Sequence, residues 1–188
     1  MKLLLEVPLN RLSFGNVAFN LIRELHKKEV DIGIFPIGEP DLSAYDFSED
    51  LKKYIENAIN ARFDYLSQDI PSFKLWHLNG SENRKTRKQY LFTFYECNQP
   101  TPIESAICNV QDHVFFSSND AIDNFKRVDC NNTSFLPLGL DEDFKTTGKT
   151  YMEGVTHFGL MGKFENRKHT QKIIQTWLKK YGNNFFFF

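Results

Sequence analysis

The sequence predicts an α/β protein built on a doubly wound, mostly parallel sheet. Three observations carry this. Short apolar runs alternate with stretches whose apolar residues recur at helical spacing. Turn formers such as Pro8, Gly38, Asn79 and Gly139 fall near the ends of the runs. At 188 residues, 41% hydrophobic and 25% charged, the chain can bury a sizeable core in about one domain.

Taken in order, Lys2 to Val7 is a buried parallel strand ended by Pro8. Ser13 caps a helix whose buried face carries Val17, Leu21, Ile22 and Leu25, with Lys27 and Lys28 suiting its C-terminal dipole. Val30 to Ile37 is the second strand, which completes a βαβ unit. Glu39 to Asp50 is acidic and turn-rich and reads as a solvated loop, followed by a helix on Leu51, Tyr54, Ile55, Ala58 and Ile59. A third strand runs from Phe73 to His77, and Tyr90 to Tyr95 is a fourth, ending at Glu96. Pro102 opens the next helix, through Ile103, Ala106 and Ile107. Val114 to Phe116 is a strand stopping at Ser117 and Ser118; Asp120 to Lys126 is a helix and Phe135 to Gly139 a last short strand. This reads as one Rossmann-like domain over residues 1–145. A polar linker over 146–154 follows. Residues 155–184 hold a strand (Val155 to Met161) and a helix (Thr170 to Tyr181) that buries Ile173, Ile174, Trp177 and Leu178. Phe185 to Phe188 read as a tail at which the record is truncated or non-native.

Composition narrows the function classes. A net charge of −1 supplies no global field toward nucleic acid or acidic membrane. Cys97, Cys108 and Cys130 are odd in number and lack zinc-site spacing, which fits reduced thiols in the cytoplasm. Met1 to Leu5 is too short for a signal-peptide core, and no apolar run is long enough to span a membrane.

His77 is the leading candidate. At the carboxyl end of a strand in an open α/β sheet an imidazole can reach a ligand, although a structural histidine making one hydrogen bond fits the same position. Gly15, at the start of a helix, either lets a backbone amide approach a ligand or makes a tight turn. Arg84, Lys85, Arg87 and Lys88 lack interleaved aromatics and read as a solvated loop, with a phosphate or sugar contact left open.

The order of motifs resembles the GT-B glycosyltransferases of the family-4 type and its relatives. Carrying that resemblance are the Gly15 loop after the first strand, His77, and Phe94-Tyr95-Glu96 followed by Pro102. Further along come Phe115-Phe116-Ser117-Ser118 with Phe125, and Leu136-Pro137-Leu138-Gly139-Leu140-Asp141-Glu142-Asp143-Phe144. Gly159-Leu160-Met161-Gly162-Lys163-Phe164-Glu165-Asn166-Arg167-Lys168 closes the series. The resemblance implies an acceptor-side domain plus the first strand and helix of a donor-side domain, with most of the latter missing. It implies retaining transfer from a nucleotide sugar to a glycan, lipid or other hydroxyl acceptor, with no metal or other cofactor. His77 would handle the acceptor hydroxyl. Lys163, Arg167 and Lys168 would meet the leaving diphosphate, although Lys163 stands where the family usually has arginine and His169 where it has glycine. Gly15, Asn79, Glu96 and Ser118 would touch substrate, Glu96 being equally a solvated strand end; Asp141 would be structural. The alternative is a non-catalytic Rossmann-like module that binds a sugar or a protein. A nucleic-acid binder acting through Arg84 to Lys88 is a third, weaker alternative.

Overall fold

The computed structural model describes residues 2–66, 69–139, 148, 153–154, 157–162 and 164–182. The chain divides into two compact units, Met1–Leu140 and Asp141–Phe188.

In the first unit six strands form one sheet, and every neighbouring pair is parallel: β1 (Lys2–Val7), β2 (Asp31–Pro36), β3 (Ser72–Leu75), β4 (Gln89–Thr93), β5 (His113–Phe116) and β6 (Thr133–Phe135). Their order is β2-β1-β3-β4-β5-β6. α1 (Ser13–Lys27) joins β1 to β2, and α2 (Glu49–Asn60) with a 3-10 turn at Ala61–Tyr65 joins β2 to β3. α3 (Pro102–Asn109) joins β4 to β5, and α4 (Asn119–Lys126) joins β5 to β6. The expected α/β doubly wound, Rossmann-like class is therefore the observed one, with all six strands parallel.

Strand alternation divides the core between the two sheet faces. Leu5, Val7, Ile32, Ile34, Leu75 and Phe92 pack with α1 and α2 in one cluster. Leu91, Val114 and Phe116 pack with α3 and α4 in the other. Burying such side chains stabilises by roughly 1.5–3 kcal/mol each.

Local chemistry explains most helix starts. Ser48 accepts the Leu51 N–H, and Ser118 the Ala121 N–H. Thr101 and Glu104 form a reciprocal capping box on α3, with Pro102 just inside it. α1 departs from expectation. Leu12 is its N-cap and Ser13 its first helical residue; leucine has no side-chain acceptor to cap the helix, and Asn10 Oδ1 accepts the Leu12 N–H before it.

Several boundaries also differ. β3 stops at Leu75, so His77 lies two residues beyond the strand; β4 stops at Thr93. The last strand is Thr133–Phe135 rather than 135–139, because β5 is short and Phe116 is its final paired residue. The Glu39–Asp50 segment is more than a solvated loop. Tyr45 stacks on Phe19 at 4.1 Å, and Leu42, Tyr45 and Phe47 pack against the core.

In the second unit, Asn166–Lys168 form a 3-10 turn and Thr170–Tyr181 form α5. Residues 157–161 are not a strand, since a strand exists only through a ladder with a neighbour and the described residues offer them none. Ile173, Ile174, Trp177 and Leu178, expected to be buried, are not; Thr170 is the buried residue of α5 among those described. The Asp141–Phe144 segment and Phe185–Phe188 lie outside the described residues. Among the described residues, no helix is long and apolar enough to cross a membrane.

Candidate functional site

From β1 the chain winds one way to β2, then returns to the other side of β1 to form β3. The two connections diverge at that point and leave a crevice beyond the carboxyl ends of the strands, where open α/β sheets bind ligands. A cavity of about 660 Å³ occupies this position in the first unit. Three segments line it, each following a strand: Pro8, Asn10 and Leu12 to Phe14 after β1, Trp76 to Asn79 after β3, and Phe94 to Cys97 after β4, with Thr93 and Glu104 completing the lining. The volume suits one small ligand.

The wall after β1 is fixed from the β2 side. Tyr45 Oη donates to the Asn10 carbonyl at 2.8 Å, and the Asp41 N–H donates to the Leu9 carbonyl at 2.6 Å. Gly15 packs behind this wall. A Cβ there would lie 2.0 Å from the Asn10 carbonyl oxygen, so only glycine lets α1 start this close to the loop. Gly15 is buried within α1 and does not line the cavity; its role is close packing. The first turn of α1 opens on the cavity through Leu12, Ser13 and Phe14 and carries no acidic residue.

An aromatic cluster forms the cavity's apolar side. Phe14 stacks on Phe94 at 4.4 Å between ring centroids and lies 5.8 Å from Trp76. The His77 ring stands edge-on to Phe14 at 4.6 Å and to Trp76 at 5.2 Å. His77 itself is exposed, and its imidazole has no hydrogen-bond partner among the described residues. Among the described residues, both ring nitrogens are left without a hydrogen bond, and the ring is held by its contacts with Phe14 and Trp76.

The polar side holds Asn10, Ser13, Asn79, Thr93, Tyr95, Glu96 and Glu104. Glu96 and Asn79 are exposed on the rim. Glu104 is committed to α3, accepting the Thr101 N–H at 2.8 Å. The Tyr95 hydroxyl lies 3.3 Å from Glu104 and 2.9 Å from the Gln99 carbonyl. Burial first, then the Glu104 carboxylate, push the Tyr95 phenol up to about 12, so it stays a donor at neutral pH. No lysine or arginine is among the lining residues. Two glutamates and no lysine or arginine among the lining residues disfavour an anionic ligand.

The remaining sequence candidates fall elsewhere. Ser118 caps α4 and does not line the cavity. In the second unit Arg167 pairs with Glu165 at 2.9 Å, and Lys168 is exposed at the end of the 3-10 turn. Lys163 lies outside the described residues. Among the described residues, no group of three or more His, Cys, Asp or Glu could hold a metal ion.

Sequence reasoning missed Phe14, Trp76, Phe94, Asn10, Thr93, Cys97 and Glu104 as cavity residues. The available signal was their place directly after strands, but using it requires the strand order. No protein-family model matches the chain, and neither a curated protein nor a solved structure matches it.

Proposed function

We propose that the crevice binds a hydroxylated, sugar-like acceptor and that the chain is the acceptor side of a glycosyltransferase. The observation supporting this is the cavity's combination of an aromatic wall, an imidazole with no hydrogen-bond partner among the described residues, and neutral or acidic hydrogen-bonding groups. Aromatic faces suit the C–H faces of a sugar ring, and Asn10, Asn79 and Glu96 suit its hydroxyls. His77 would take the proton of an acceptor hydroxyl as its oxygen bonds to the anomeric carbon. The bond from that carbon to the diphosphate of a nucleotide-sugar donor breaks in the same transfer. The cavity lining carries no lysine or arginine for that diphosphate, and contacts to it from Lys163, Arg167 and Lys168 rest on the glycosyltransferase resemblance alone. A cytoplasmic location and a glycan or lipid acceptor belong to the same proposal.

The test is a transfer assay with radiolabelled UDP- and GDP-sugars and a mixed glycan acceptor pool. His77→Ala should lower kcat by about 10²-fold or more, in the range of a lost general base. Wild-type rates in His77→Ala remove the imidazole from the mechanism.

The cation-free lining also favours a second reading, a non-catalytic sugar-binding module. Oligosaccharide-dependent change in Trp76 emission without transfer from any donor would select it. Neither binding nor transfer would exclude both.

A further inference from the structure

The connection from β3 to β4 carries the His77 and Asn79 rim, yet residues 76–88 contain no helix. A helix satisfies its own backbone groups, whereas a loop lying on a sheet needs outside partners. Here buried side chains supply them. Gln89 and Gln111 both donate to the Ser81 carbonyl, at 2.8 and 3.0 Å. Ser81 Oγ donates to the His77 carbonyl at 2.6 Å. Thr86 ties the far end of the loop to Ser72 at 3.0 Å.

Lys74 differs from these partners because it is charged and only 4% exposed. Its ammonium donates to the Gly80 carbonyl at 2.9 Å and to the Asn83 carbonyl at 3.2 Å, which brackets the turn that follows His77. The third group near it is Glu6 on β1, whose Oε2 lies 3.7 Å away while Oε1 has no hydrogen-bond partner among the described residues. Glu6 and Lys74 are register partners, one residue before β1 and β3 end. β1 then leads into the Phe14 wall of the cavity and β3 into the His77 rim.

We propose that Lys74 is a positioning residue that sets where the His77 imidazole stands against Trp76 and Phe14. It does so through the two carbonyls of the 80–83 turn, with Glu6 as a loose counter-charge. The ammonium reaches two acceptors in different directions at once, which a neutral side chain of similar length does less well. The inference rests on the crevice being the binding site proposed above, but its test needs no ligand.

A protonated imidazole quenches an adjacent indole, so Trp76 emission reports the His77 contact. In a Trp177→Phe background, which leaves Trp76 as the sole indole, emission should fall as His77 protonates, and His77→Gln should abolish that step. Lys74→Met should remain folded by far-UV circular dichroism and lose at least half of the quenching amplitude. If Lys74→Met fails to fold, Lys74→Gln, which keeps one donor group, carries the test with the same expected loss. A folded Lys74 variant with the full step at the wild-type midpoint overturns the proposal. So does a wild-type protein with no His77-dependent step. Unfolding of both variants also overturns it, because Lys74 would then act on stability alone. Absence of sugar binding with loss of the step would sink the functional reading and leave the clamp standing.

Discussion

Helices α1 and α5 carry the same kind of pattern and have different surroundings. Each has apolar residues at three- and four-residue spacing and basic residues in its last turn. In α1 that face is covered: Phe14, Ala18, Phe19 and Ile22 are buried against β1, β2 and α2. In α5 the same face holds Ile173, Ile174, Trp177, Leu178 and Tyr181. There Trp177 meets Phe158 at 4.7 Å, while Ile173 and Leu178 are 44% and 41% exposed. Amphipathicity states which side of a helix is apolar, and cover comes from a second layer that the helix does not encode.

Breaking the α1 side gives the largest effect. Ile22 is fully buried between α1 and the sheet, so Ile22→Ala should destabilise the first unit by about 2–5 kcal/mol, read by urea denaturation. A loss below about 1 kcal/mol would mean that the face of α1 is less tightly covered than its burial implies.

The same contrast explains what was legible in advance. Strand and helix existence in the first unit followed from periodicity, because the sheet covers the apolar runs, while strand ends shifted by two or more residues in β3, β4 and β6. His77, Asn79 and Glu96 were legible because each lies just past a strand. The aromatic wall was not, because Phe14, Trp76 and Phe94 come together only through the β1-β3-β4 strand order. Gly15 was read as a ligand approach or a tight turn, and its close packing on Asn10 was not legible because no pattern locates that loop carbonyl. Burial of α5 was misread in a unit where the strand expected over Val155 to Met161 shows no ladder among its described residues, 157–161.

Charge sharpens the comparison, since burial changes the sign of a carboxylate's contribution. Glu24 is exposed on α1, and its hydrogen bond from Lys27 holds its carboxyl below the usual range. Its stabilisation is present at neutral pH and is lost on acidification. Glu6 behaves oppositely. Burial raises its carboxyl above the ordinary value near 4.5, against the lowering by Lys74 and Lys85. A raised folded-state value means the contribution is fully present below the unfolded value and is lost as pH rises through the folded one. Glu6→Gln resembles the protonated acid at every pH. The variant should therefore match wild type near pH 4 and gain on it as pH rises toward 8, by thermal denaturation of the two proteins in parallel. A gain in the opposite direction would show that the attraction of Lys74 outweighs desolvation.

The smallest expected effect is on α5. Leu178 lies on the apolar face but keeps 41% of its surface exposed, so truncation removes little burial and leaves no closed cavity. Leu178→Ala should change stability by no more than about 0.5 kcal/mol, because alanine's higher helix propensity offsets part of the lost contact. The measurement is the same urea titration used for Ile22→Ala. A loss comparable to that of Ile22→Ala would mean that the face of α5 is covered in solution, which would erase the difference between the two helices. A near-zero change, set beside a large one in α1, would locate the stability of the chain in the sheet-backed unit.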